Sequence, residues 1–206
     1  MESAITKALI IFVRNTEKGK VKTRIAKDLG DDKTLEVYKY LLQYTADIAN
    51  TVNCHRFVFY SDYVHISDLF DDKCFTKFVQ EGNDLGERMH NALEKVFSLG
   101  HKEVCIIGSD CYQLQPDHID EAFAELESHD VVVGPTTDGG YYLLGMKQAN
   151  LRLFQQKDWG TSTVFDDTVA DLTQLQLKYK ELEQLDDVDT MDDLLATDIL
   201  ANLSSD

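Results

Sequence analysis

The chain has 206 residues, 43% of them hydrophobic, and carries 37 Asp and Glu against 20 Lys and Arg for a formal net charge of −17. At this length one domain can bury about 70% of its unfolded surface, and without a Pro/Gly/Ser-rich linker residues 1–206 are expected to form a single domain. So acidic a balance argues against a nucleic-acid partner, the apolar runs are too short to span a bilayer, and the opening MESAITKALIIFV lacks the order of a secretory leader, so a cytoplasmic location is expected.

Residues 8–13, ALIIFV, are an unbroken apolar run, the pattern of a strand covered on both faces. They lead into RNTEKGKVKTR and the residues beyond it, where Arg14, Lys18, Lys20, Lys22, Arg24 and Lys27 are opposed only by Glu17. Residues 1–60 hold ten Lys and Arg against seven Asp and Glu, whereas residues 61–206 hold ten against thirty. A basic cluster on an acidic chain suggests a small anionic ligand; a solvated charged loop is the plain alternative. Leu35, Tyr38, Leu41, Leu42, Thr45, Ile48, Ala49 and Val52 then recur at helical spacing, with Asp31 and Asp32 as cap candidates. RFVFYS (56–61) and the weaker FTKFVQ (75–80) read as strands.

From Asn83 to Ser98 the spacing is helical again, with Leu85, Met89, Ala92, Leu93 and Val96 on one face and Gly100 as a stop. EVCIIG (103–108) is the next strand, and Pro116 opens a helix reaching about Ser128. VVVG (131–134) and YYLLGM (141–146) are strands joined by PTTDGG. A helix over Thr161–Leu175, a short edge strand within 178–185 and a last helix over Met191–Leu203 complete the chain. Strands alternating with helices predict an α/β domain around a mixed, mostly parallel sheet, with the 131–146 pair as its antiparallel exception. Cys54, Cys74, Cys105 and Cys111 are scattered and read as free thiols of a reducing compartment; no nearby His would activate Cys111.

Sheets of this kind bind ligands outside the carboxyl ends of their strands, and the unusual residues fall there. The first loop offers Gly19 for close approach and Lys22, Thr23 and Arg24 as donors to phosphate, without the spacing of a P-loop or a dinucleotide fingerprint. DLGERM (84–89) puts Arg88 near a helix start, although Asp84 as N-cap and Gly86 as a packing contact explain much of it. Asp110, in GSDC, is a charge at the mouth of an apolar strand. It reads either as a cap or buried hydrogen-bonded carboxylate, or as a ligand for Mg²⁺ or Mn²⁺ bridging to a diphosphate. Asp187 and Asp189 form a second carboxylate pair, and DVDTMDDL reads equally well as capping of the last helix, with Thr190 or Asp189 at the cap. TDGGYYLL is a tight turn or a sugar-binding loop.

The ordered set FVRNTEKGKVKTRIA, GNDLGERM, GSDCYQL, GPTTDGGYYLLG, Trp159 and DVDTMDDL resembles the bacterial DUF2064 family over about residues 8–195. This is a glycosyltransferase-A-like (GT-A-like) group of the nucleotide-diphospho-sugar transferase superfamily. The resemblance implies one GT-A fold holding a nucleotide-diphospho-sugar or nucleotide above its strand ends, with a small-molecule acceptor beside it. It places Arg14, Gly19, Lys22, Thr23, Arg24, Asp84, Gly86 and Arg88 around the nucleotide and its phosphates, and Asp110 and Asp189 on Mg²⁺ or Mn²⁺. Asp138 would be the catalytic base, with Gly139, Gly140, Tyr141 and Trp159 facing sugar or acceptor. The chain departs from the family in the first loop, where Arg14, Thr16 and Lys18-Gly19 stand in place of the usual Lys-x-Pro then Pro-Gly, and at Cys111-Tyr112, where Cys-Pro is usual. Only Asp110 stands where Asp-x-Asp is common in this fold. That leaves sugar transfer beside two alternatives: a nucleotidyl transfer of the cofactor-biosynthesis type releasing pyrophosphate, and a non-catalytic nucleotide-binding homologue.

Overall fold

The unbroken apolar runs become the inner strands of one sheet. The computed structural model describes residues 6–66 and 68–204; residues 1–5, read above for a leader, lie outside that range. The elements are β1 (Lys7–Val13), α1 (Thr23–Leu29), α2 (Asp31–Thr51), β2 (His55–Tyr60), β3 (Phe75–Val79), α3 (Leu85–Ser98), β4 (Glu103–Ile107) and α4 (Pro116–Glu125). They continue with β5 (Val131–Pro135), β6 (Tyr141–Met146), a 3₁₀ turn over Leu151–Phe154, α5 (Val164–Gln174), β7 (Tyr179–Glu181), α6 (Met191–Leu195) and α7 (Ile199–Leu203). The seven strands lie in the order β3-β2-β1-β4-β6-β5-β7. Only β6 runs against its neighbours, inserted between β4 and β5, and every other pairing is parallel. This is the mixed, mostly parallel α/β sheet that the strand–helix alternation predicts.

Alternation along β1 divides the core. Leu9 and Ile11 join Leu42 and Ala46 of α2 and Ile119 and Phe123 of α4 on one face. Ala8 and Ile10 join Met89, Leu93 and Val96 of α3 on the other. All four strand residues are wholly buried, and a fully buried aliphatic side chain contributes about 1.5–3 kcal/mol. A third, smaller cluster gathers Ile25, Val37, Leu41, Val188, Leu194 and Ile199. It fastens α1, α6 and α7 to α2, and so carries the segment around Val188 back to the first loop.

Besides shifts of about three residues at the end of α4 and the start of α5, three features differ from expectation. Residues 23–29, expected as loop, form α1; the segment buries only Ile25, so periodicity had a single apolar position to reveal. The last helix is broken between α6 and α7, where the Thr197 hydroxyl donates to Leu194 O at 2.7 Å and accepts from Ile199 N at 3.3 Å, diverting the helical ladder. Helix α2 begins after Gly30, with Asp31 and Asp32 in its first turn rather than at its cap. The cysteines are free, with Cys54, Cys105 and Cys111 buried and Cys74 exposed. Among the described residues no helix is long and apolar enough to cross a membrane.

Candidate active site at the strand ends

Parallel pairing puts the carboxyl ends of β1, β2, β3 and β4 on one edge, and three buried or half-buried polar side chains lock their loops together. Asn15 donates through Nδ2 to Tyr63 O at 2.8 Å and accepts at Oδ1 from Ser61 Oγ and Asp62 N. Gln80 donates to Phe59 O at 2.9 Å and Val13 O at 3.3 Å. Tyr38, reaching up from α2, accepts from Arg14 N at 2.8 Å, donates to Arg14 O at 3.2 Å and lies 3.4 Å from Ser109 Oγ. The chain after β7 is drawn across the same edge by backbone bonds from Leu182 N to Val133 O, Leu185 N to Pro135 O and Val188 N to Asp110 O. That path brings Asp189 beside Asp110.

A cavity of about 880 Å³ opens above this edge. Its floor holds one ion cluster: Lys22 Nζ donates to Asp110 Oδ2 at 2.7 Å and to Asp189 Oδ1 at 2.5 Å. The Lys22 side chain is 7% exposed, while those of Asp110 and Asp189 are 33% and 40% exposed. Burial works against the ammonium, but the two carboxylates outweigh it and hold its pKa above the usual 10.5. Burial likewise works against the Asp110 carboxylate, and the Lys22 ammonium outweighs it, leaving the pKa below 3.8. Arg24 Nη1 lies 3.9 Å from Asp189 on the exposed side, and Lys20 is paired with Glu17 at 2.5 Å. Arg14, Arg24 and Arg88 supply the wall's remaining positive charge.

Next to it a second cavity of about 210 Å³ is lined by Phe12, Met89, Tyr141, Trp159 and Val164, with Asp138 and Asp187 among its polar residues. Phe12, Leu85 and Gly108 line both cavities. Asp138 Oδ1 accepts from Thr136 Oγ1 at 2.6 Å and Gly140 N at 3.0 Å, closing the β5–β6 turn on itself. Asp187 is otherwise placed. Its Oδ1 is buried without a hydrogen-bond partner, and burial, reinforced by Asp110, lifts the carboxyl to about 8.

Of the residues expected around phosphate, Arg14, Lys22, Thr23, Arg24, Asp84 and Arg88 line the first cavity. Gly19 and Gly86, also expected there, do not line it. Gly19 bends the loop at φ 76° against the Asp31 carboxylate. A Cβ on Gly86 would overlap the Phe154 carbonyl and lie 2.6 Å from Trp159 Nε1, so this glycine seats the indole. Asp138, Gly140, Tyr141 and Trp159 line the second cavity. Gly139 instead turns at φ 88° against Ser162, and its carbonyl accepts from Phe165 N at 2.8 Å. Asp110 caps nothing: Gln115 is the N-cap of α4. In DVDT the two readings fall on different residues, with Thr190 capping α6 and Asp189 taking Lys22. Asp84 caps α3, accepting from Glu87 N at 2.8 Å. Asn15 and Gln80 are site-building residues that spacing did not mark, and Tyr38 was marked only as a position on a helical stripe, because their partners lie 21 to 71 residues away.

The donor set at the floor is all oxygen, and it already holds a cation in the form of the ammonium. With the orphaned Asp187 Oδ1 nearby, its chemistry fits a hard divalent cation. Among the described residues, however, no group of three or more His, Cys, Asp or Glu is arranged to hold a metal. Two carboxylates are what the site offers, with the remaining oxygens left to phosphate and water.

No curated protein matches the chain. A solved structure from Desulfovibrio desulfuricans, described provisionally as a nucleotide-diphospho-sugar transferase, is 30% identical, with 92% of this chain and 85% of that one covered at a TM-score of 0.86. Two more distant structures share the fold. CMP:2-keto-3-deoxy-manno-octonic acid synthetase complexed with CTP is 11% identical over 97% of this chain and 99% of that one, at a TM-score of 0.55. The Rv0371C protein of Mycobacterium tuberculosis in complex with manganese is 14% identical over 94% and 97%, at 0.53. The profile of the family described as "Uncharacterized protein conserved in bacteria (DUF2064)" matches residues 44–161. With more than half its length matched, the chain belongs to the DUF2064 family, on the GT-A-like nucleotide-diphospho-sugar transferase fold.

Proposed function

We propose that the protein is a divalent-metal-dependent glycosyltransferase that takes a nucleotide-diphospho-sugar in the larger cavity and a small hydroxylated acceptor beside it. The observation that carries this reading is one open cavity lined by Arg14, Arg24 and Arg88 together with Asp110 and Asp189. A diphosphate needs cations to neutralise it and a hard ion's carboxylates opposite. The 30% identical neighbour's description supports the donor class, and the manganese-bound neighbour supports the ion.

Asp110 and Asp189 would hold Mg²⁺ or Mn²⁺, which supplies charge neutralisation at the diphosphate. The chain's own arginines stabilise the negative charge that grows on the departing nucleoside diphosphate as the sugar–phosphate C–O bond breaks. An acceptor hydroxyl in the second cavity attacks the anomeric carbon, and Asp138, through the oxygen not tied into its turn, takes the hydroxyl proton. Tyr141 and Trp159 offer aromatic walls to the sugar or acceptor body.

Nucleotidyl transfer is the second reading, favoured by the lone Asp110 after β4 and by the likeness of fold to a CTP-bound synthetase. There a substrate phosphate attacks the α-phosphorus and pyrophosphate leaves. Incubation with nucleoside diphosphate sugars or nucleoside triphosphates, each with Mn²⁺ or Mg²⁺, separates the two. Release of free nucleoside diphosphate that depends on added acceptor is expected. Pyrophosphate released from a triphosphate would overturn the glycosyl assignment, and tight nucleotide binding without any turnover would mark a non-catalytic homologue.

A further inference from the structure

We propose, on the basis of the nucleotide-and-metal reading above, that Lys22 is the resident counter-ion of the Asp110–Asp189 pair. A divalent cation then takes that pair only by displacing it, which releases the ammonium into the cavity as a phosphate donor. Three observations meet here. First, Nζ lies 2.7 and 2.5 Å from one oxygen of each carboxylate. A hard cation binding those oxygens at about 2.0–2.6 Å would fall on the ammonium, so the two occupants exclude each other. Second, the ammonium is sealed in from the protein side, with its side chain 7% exposed, while both carboxylates are open to the cavity. A metal entering with its nucleotide therefore meets the carboxylates from the cavity that Lys22 also lines, and competes with the ammonium for the same two oxygens.

Third, Lys22 has left-handed backbone angles, φ 45° and ψ 47°, immediately before the first residue of α1. That region is disfavoured for a side-chain-bearing residue, and no glycine or asparagine stands there to relieve it. The strained position aims the long side chain down at the carboxylates, and the ion pairs hold it so. Once the pair is lost, rotation at this one residue turns the side chain toward Arg14, Arg24 and Arg88, which line the same cavity. The arrangement offsets half the charge of two facing carboxylates before a metal binds and supplies one more cation when phosphates arrive.

The test is Mn²⁺ alone, titrated calorimetrically into the wild-type protein, K22M and the double variant K22M/D110N. Mutual exclusion predicts that K22M binds Mn²⁺ about tenfold or more tightly than wild type, a coupling of ordinary size, and that D110N removes the gain. Equal or weaker binding by K22M overturns the proposal, as does no Mn²⁺ binding by either. Should K22M not fold, the wild-type protein gives the answer by itself. Saturating Mn²⁺ is expected to increase acetylation of Lys22, followed by mass spectrometry, whereas unchanged labelling overturns the displacement. Failure of the nucleotide reading would look different: nucleoside diphosphates would not bind wild type or K22M, whatever their affinities for Mn²⁺.

Discussion

Lys22 at the floor of the cavity sets the electrostatics of every residue around it. Removing its charge leaves Asp110 and Asp189 facing each other with the exposed Arg24, 3.9 Å from Asp189, and the more remote Arg14 as remaining positive charge. Breaking a fully buried pair costs about 3–5 kcal/mol, but these carboxylates are 33% and 40% exposed. K22M is therefore expected to lose about 2 kcal/mol, nearer the cost of a half-screened pair. The loss depends on pH. Asp110, held below 3.8 in the fold, contributes stability that is complete above 3.8 and disappears as pH falls through its lower folded value. Lys22, held above 10.5 in the fold, contributes fully below 10.5 and loses that contribution as pH rises from there through its higher folded value. Urea unfolding of the two proteins should therefore show the widest gap near neutrality, closing once the carboxylates of K22M protonate. Tyr38 works by position rather than charge. Y38F removes both bonds to the Arg14 backbone and is expected to cost about 1–2 kcal/mol, read as a lower melting temperature with the core intact.

Elements show what sequence patterns carry and what they miss. The strands were legible because β1 and β4 are continuous apolar runs buried on both sides, and because β-branched and aromatic residues marked β2. Helix α3 was legible from its stripe, with Asp84 at its cap as expected. Helix α1 was not, since one buried residue makes no period and its stability comes from packing on α2 and α6. The candidate site was legible in part. Loops after strands pointed to Arg14, Lys22, Arg24, Arg88 and Asp110, but residue 189 meets residue 110 only through the path of the chain after β7. No spacing rule encodes that meeting, nor the choice of Lys22 as its partner. Gly86 and Gly139, each packed closely against neighbours, give an element-scale prediction. G86A forces a Cβ into the Phe154 carbonyl and the Trp159 indole, so it should destabilise by about 1–3 kcal/mol and change the fluorescence of Trp159. G139A meets both a positive φ and Ser162, and should loosen the β5–β6 turn that carries Asp138 and Gly140. Unchanged fluorescence in G86A would show that the indole is not seated on residue 86.

The whole molecule carries −17 charges, so its surface repels itself and the folded state is expected to gain from salt. Raising sodium chloride from about 0.01 M to about 0.15 M shortens the screening length from about 30 Å to about 8 Å and should raise the melting temperature; a fall would contradict the dominance of self-repulsion. Against that field, the arginines at the strand ends are a local exception, placed beside two carboxylates in one cavity. The architecture explains the contrast: a mostly parallel sheet gathers its loops at one edge, and the segment after β7 returns to complete them. The most direct measurement is calorimetric titration of uridine, cytidine, guanosine and adenosine diphosphates with Mn²⁺ into the wild-type protein and D110N. At least one diphosphate is expected to bind wild type, and to bind D110N about tenfold more weakly, a difference of about 1.4 kcal/mol. No binding by any of the four, or equal binding by D110N, would contradict a diphosphate held between the arginines and Asp110.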